Sequence, residues 1–188
     1  MQTAMRPILL ITVVLIMSAL LTGTVSPAAV RGETGEEYAV KAAFVLNFAR
    51  FFNWPGSAFS TPTEPYDLCV MGDPSIVAAF RTIHGKRIGP RTLQVRRGTD
   101  PDKVGTPHLL FIPRTIDPPT LFKLLGKTKA CHVLTIGEVP HFAGFGGVIN
   151  FMNRQGRLKF EINRRIADMQ GLTPSSRLLK LAIIVDDQ

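Results

Sequence analysis

The 188-residue chain is sparing with the residues that usually carry chemistry: it has two cysteines, four histidines, one tryptophan and two tyrosines. Cys69 and Cys131 lie far apart, which rules out a C-x-x-C redox or zinc half-site. His84, His108, His132 and His141 show none of the close spacings of zinc ligands, so no metal site is assigned. No G-x-S-x-G elbow occurs. The glycine-rich Gly144-Phe145-Gly146-Gly147 leads into a strand, whereas a phosphate-cradling loop joins a strand to a helix N-terminus. A tight turn is the better reading. Asp67, Asp73, Glu138, Glu161 and Asp168 are candidates for acid–base work, but nothing in their spacing pairs them. No catalytic residue and no cofactor follows from the sequence, and an enzyme ranks a distant third among the functions considered.

What is present begins with a leader. Arg6 precedes an apolar run from Ile8 to Leu21, and Ser26-Pro27-Ala28 has the small-x-small form of a cleavage site. These are the three parts of a secretory signal peptide over residues 1–28, cleaved after Ala28. The run of about fourteen residues is short of the twenty that span a bilayer. The mature chain is expected in a bacterial periplasm, with one domain over residues 36–188.

Acidic residues are the minority, 14 against 22 Lys and Arg, for a formal charge of +8. Losing Arg6 with the leader leaves +7. Lys and Arg are scattered from Lys41 to Lys180 without a stripe of interleaved aromatics, so nucleic acid is not an expected partner. Attraction to an acidic protein or an anionic surface stays open.

From Glu36 to Pro55 a long amphipathic helix is expected, with Val40, Ala43, Phe44, Asn47, Phe48 and Phe51 along its core-facing stripe. Short apolar runs follow, at Tyr66–Met71, Thr92–Arg96, His108–Ile112 and His132–Ile136, alternating with helices at Ser75–Ile83 and Pro119–Leu125. This alternation predicts parallel βαβ units with the sheet covered on both faces. A β-hairpin then closes the sheet, its runs Val148–Met152 and Arg157–Ile162 joined by a four-residue loop ending at Gly156. Leu158, Phe160 and Ile162 fall on one face of its second strand, and Arg157, Lys159, Glu161 and Asn163 on the other. Asn163 caps a helix over 164–170, and another runs from Ser175 to about Ile183. The fold class is α/β: a single domain with a mostly parallel sheet, flanking helices and a closing C-terminal antiparallel hairpin, preceded by a signal peptide.

If the third strand lies between those holding Cys69 and Cys131, the two are about two strand spacings apart, roughly 9.6 Å. That exceeds the reach of a disulfide, so two buried thiols are expected.

Several segments together resemble one family. They are the helix Glu37–Phe51 running into Trp54-Pro55, the strand Leu68-Cys69-Val70-Met71-Gly72, and Val133-Leu134-Thr135-Ile136-Gly137-Glu138. The hairpin with Phe160-Glu161-Ile162-Asn163 and the run Ser175–Ala182 complete the set. In this order they are similar to the YfiR family of periplasmic regulatory proteins, over almost the whole mature chain. The resemblance implies a compact α/β domain without catalytic activity. Its partner would be the periplasmic sensory domain of an inner-membrane protein, a diguanylate cyclase in characterised members. Holding that enzyme inactive keeps cyclic di-GMP low and restrains exopolysaccharide and biofilm. Members often carry a cysteine before the third strand that pairs with the one matching Cys69. Thr106-Pro107-His108 stands there instead, leaving Cys69 without that partner.

Two candidate sites follow. Phe151, Arg157, Lys159, Glu161, Arg164 and Arg165 form a mixed charged and aromatic surface suited to a protein partner. An ordinary solvated sheet face explains the same pattern equally well. The alternative is a periplasmic small-ligand-binding sensor subunit of a membrane signalling system. Its site would lie at the carboxyl ends of the parallel strands, where Asp73, Arg114 and Glu138 stand. A homodimer stays open, and membrane contact is expected only through the partner.

Overall fold

The computed structural model describes residues 29–185, with side chains from Gly35 onward. The expected signal peptide lies outside the described residues. Contacts divide the chain into Met1–Glu33 and Thr34–Gln188, and the fold described here is that of the second unit.

Helix α1 (Ala29–Phe51) runs into a two-residue strand β1 (Phe52–Asn53). Then come β2 (Tyr66–Met71), α2 (Pro74–Phe80), β3 (Arg87–Ile88), β4 (Arg91–Gly98) and β5 (Leu109–Ile112). Helix α3 (Pro118–Thr128) leads to β6 (Leu134–Gly137), and the hairpin is β7 (Ile149–Arg154) with β8 (Arg157–Asn163). The chain continues through α4 (Arg164–Met169), β9 (Thr173–Pro174), α5 (Ser176–Leu179) and β10 (Ile183–Val185). Among the described residues no helix is long and apolar enough to cross a membrane.

Eight strands form one sheet in the order β10-β8-β7-β6-β5-β2-β4-β3, parallel except for the β7–β8 and β3–β4 pairs. Side chains alternate across each central strand, so each feeds two cores. Leu68 and Val70 of β2, and Leu109 and Phe111 of β5, pack on the face covered by α1 and α2. Cys69, Met71, Leu110 and Ile112 face α3 through Leu121, Leu124 and Leu125, together with Phe142 of the loop after β6. Asp117 starts α3 by accepting from Thr120 N at 3.0 Å, with Pro118 and Pro119 in the first turn, where a missing N–H costs nothing.

The structure corrects four details. In α1 the buried positions are Tyr38, Lys41, Ala42, Val45, Leu46, Phe48 and Ala49, while Val40, Ala43 and Asn47 are exposed. Phe44, Phe48 and Phe51 do pack on the core, but the true stripe is rotated from the expected one and takes in Lys41, which is buried by its pairing with Glu138. The hairpin loop has two residues, Gln155 and Gly156, both with positive φ (54° and 73°), as in the turn whose twist matches the strands it joins. Asn163 is fully buried: its Nδ2 donates to Ala143 O at 3.0 Å and its Oδ1 accepts from Ile166 N at 3.0 Å. It is the expected helix cap but lies outside the solvated face. Finally, the last helix stops at Leu179, and Ile183–Val185 adds a parallel strand outside β8, so the hairpin does not end the sheet.

β5 does separate the strands near the two cysteines, and both thiols are free. Cys69 is buried, whereas Cys131 is only partly covered, which corrects the expectation for the second.

Candidate functional site

The parallel strands β5 and β6 end side by side, with Ile112 opposite Gly137. β7 pairs with β6 only at Ile149 and Asn150, so the rest of the hairpin projects past the sheet's end as one wall of a cleft. Glu37, Val40 and Lys41 of α1 form another wall. The cleft has a volume of about 730 Å³, and its lining includes Val40, Met152 and Leu158 as well as charged groups at its base.

Those charged groups are one network. Glu138 follows β6 and is buried; it accepts from Tyr38 Oη at 2.7 Å, from Arg114 N at 2.9 Å and from Lys41 Nζ. The Arg114 guanidinium stands 3.6 Å from the same carboxylate. Glu37, one helical turn before Lys41, accepts from Lys41 and from Arg114 Nη2 at 2.6 Å. Two carboxylates thus face two cations, and each buried charge has a partner of opposite sign, the condition under which burying charge is tolerable.

Titration follows this geometry. Burial pushes the Glu37 carboxyl up, but the hydrogen bonds and charges of Lys41 and Arg114 outweigh it and hold it below the usual carboxylate range. The Tyr38 hydroxyl is pushed well above its ordinary value by burial and by the Glu138 carboxylate it donates to. Tyr38 is therefore a fixed donor. Three donors on Glu138, from Tyr38, Lys41 and Arg114 N, brace α1 against the strand ends.

Of the residues expected in a ligand site, Arg114 and Glu138 do meet here. Asp73 does not: it is exposed at the start of α2 and does not line the cleft. Glu37, Tyr38 and Lys41 were not anticipated. The Glu37–Lys41 spacing of four was the available signal, but in sequence such a pair reads as an ordinary exposed helical ion pair.

The residues expected at a partner surface are dispersed. Phe151 is buried, its ring 5.6 Å from Phe48 and 6.0 Å from Phe44, so it belongs to the core and is removed from the surface. Phe160 opposite it on β8 explains why, since the two share a face of the hairpin beneath α1. Arg157 and Lys159 are exposed, whereas Glu161 is half-buried and accepts from Asn150 Nδ2 at 3.1 Å. Arg164 and Arg165 are exposed on α4, beyond the other end of β8 from Arg157. At 3.3 Å per residue β8 spans roughly 20 Å, so Arg157 and the α4 arginines do not form one tight patch.

Two histidines are explained by hydrogen bonding. His108 Nδ1 accepts from Asp67 N at 3.0 Å, which leaves Nε2 to donate to Ala58 O at 2.9 Å. His132 Nδ1 donates to Gln170 O at 2.7 Å.

Among the comparisons with known proteins, the family model alone gives the family. No curated protein matches the chain. Among solved structures, a conserved domain protein from Vibrio cholerae O1 biovar eltor aligns with a TM-score of 0.48 and 10% identity. The alignment covers 64% of this chain and 55% of that one, too slight a likeness to build on. The family model described as YfiR/HmsC-like matches residues 38–183, from the Tyr38 of the network to the last strand. The chain belongs to the YfiR/HmsC-like family of periplasmic regulatory proteins.

Proposed function

We propose that this protein is a non-enzymatic regulator that acts in the periplasm by binding the sensory domain of an inner-membrane diguanylate cyclase and holding it inactive. Cyclic di-GMP, exopolysaccharide and biofilm are kept low as a result. The observation that carries this reading is the family match over residues 38–183. The chemistry of the cleft is compatible with it, because Glu37 and Glu138 are engaged by Lys41, Arg114 and Tyr38. The exposed cations Arg157 and Lys159 of the hairpin, with Glu161 beside them, supply polar groups for a protein contact. Glu161→Lys, with folding verified by its melting temperature, is expected to raise cellular cyclic di-GMP. A level unchanged from that of the parent would remove Glu161 from the interface.

A second reading is a small-ligand sensor, favoured by the meeting of Arg114 and Glu138 in a cleft at strand carboxyl ends. Arg114 would supply the polar contact, and Val40, Met152 and Leu158 an apolar wall. A metabolite that raises the melting temperature of the parent, and not of Arg114→Ala, would support this reading. A shift of equal size in both would contradict it.

A further inference from the structure

A second concavity lies away from the network, between α3, the loop after β6, and α4. Phe122, Phe145 and Met169 are large apolar side chains left 52%, 44% and 45% exposed, and all three line it. The other exposed large apolar residues, Val40, Leu181 and Ile184, are not part of this group. The rings of Phe122 and Phe145 meet edge to face at 5.3 Å, and the groove has a volume of about 310 Å³. Three half-exposed apolar side chains converging on one hollow are costly to leave in water and mark a contact surface.

The groove is built before anything enters it. Phe145 sits on a turn closed by Phe145 N donating to His141 O at 3.0 Å and Gly147 N donating to Phe142 O at 3.0 Å. The turn is anchored from below by Phe142, whose ring lies where side chains on Gly137 and Gly147 would be. Phe122 is carried on α3, an eleven-residue helix whose other face is buried through Leu121, Leu124 and Thr128. A preformed apolar trough loses little freedom on binding.

Charge restricts the occupant. The charged residues lining the groove are Lys129 and Arg165, both cations, with the Arg165 guanidinium 3.9 Å from the Met169 sulfur. An apolar floor with a basic rim complements an apolar side chain flanked by carboxylates. Concavity favours a protein segment over a lipid surface, because the two rings wall a hollow against each other.

We propose that the groove between α3 and α4 docks a short segment of the membrane partner that presents an apolar anchor residue between acidic ones. The inference rests on the regulatory reading above and adds a surface separate from the hairpin wall of the cleft.

The test places the photocrosslinker benzoyl-phenylalanine at position 145 of the exported full-length chain. Deletion of the gene is measured first in the same strain. Unchanged cyclic di-GMP there defeats the regulatory reading and this inference with it. Where cyclic di-GMP rises, crosslinked peptides are sequenced by mass spectrometry. The expected product joins position 145 to a membrane-protein segment with at least two Asp or Glu residues beside an apolar one. Its yield should fall at least tenfold with Lys129→Glu and persist with Lys129→Arg. A rise in cyclic di-GMP with no crosslink, or with one to lipid, to a second copy of this chain or to a segment lacking carboxylates, overturns the docking proposal alone. So does a yield insensitive to Lys129→Glu.

Discussion

Lys41 and Glu138, 97 residues apart in sequence, form an ion pair whose side chains are 1% and 2% exposed. It ties the first helix to the end of a central strand at the base of the main cleft. Removing Lys41 leaves buried Glu138 with only the more distant Arg114 cation, and removing Glu138 leaves buried Lys41 with only the partly exposed Glu37. Lys41→Met or Glu138→Leu alone should therefore be clearly destabilising, by up to about 3 kcal/mol, the low end for a fully uncompensated buried charge. The double variant should lose much less than the sum, because no buried charge then remains. Urea unfolding of the four proteins checks this, and additive losses would show the two residues to be energetically independent.

His108 predicts a pH dependence. Burial, the largest influence, lowers the imidazole's pKa from the ordinary 6.5, although the hydrogen bond to Ala58 O opposes it. The unfolded chain therefore takes up this proton more readily. The stability contributed by neutral His108 is fully present above pH 6.5 and is lost as pH falls towards the lower folded value, by at most about 1.4 kcal/mol per pH unit. His108→Gln keeps a donor for Ala58 O but cannot titrate. Its melting temperature should fall less than the parent's between pH 7.5 and 5.5, and parallel curves would contradict the assignment.

Phe142 fixes two glycines. A Cβ on Gly147 would come within 2.0 Å of its ring and one on Gly137 within 2.4 Å. Gly147→Ala should destabilise by about 1–3 kcal/mol through overpacking. Adding Phe142→Leu should recover part of that loss, since it removes the ring atoms in the way. No recovery would locate the strain elsewhere.

The two thiols should differ in reactivity. Burial pushes the Cys69 thiol up to about 11, while Cys131 is partly open to solvent. Iodoacetamide on the native protein at pH 8 should modify Cys131 first, leaving Cys69 protected until unfolding. Comparable rates at both would contradict the burial of Cys69. A reductant should leave the melting temperature unchanged, because neither cysteine is in a disulfide.

How much of this was legible in the sequence depends on how locally each feature is determined. Tyr66–Met71 and the hairpin strands were readable because β-branched and aromatic runs bounded by turn residues need no tertiary information. That β5 lies between β2 and β6 is only a condition in the sequence reading, because βαβ alternation implies parallel units without fixing their order in the sheet. β10 was hidden because Ile183–Val185 is three residues long and continues an apolar helical pattern. Only its pairing with Glu161–Asn163 makes it a strand. The network was hidden for a different reason. A lysine four residues after a glutamate signals exposure unless something distant covers it, and here the cover is Glu138. Phe151 was placed outside because the reading followed Arg157 and Lys159, whereas its register opposite Phe160 sends it inward.

Whether the protein is a periplasmic brake on a cyclase is decided by cellular cyclic di-GMP in a strain lacking this gene. Full-length protein and a version without residues 1–28 are then restored in turn. Deletion should raise cyclic di-GMP, and the full-length protein, but not the leaderless version, should reverse the rise. An unchanged level on deletion, or equal reversal by the leaderless version, would contradict this role.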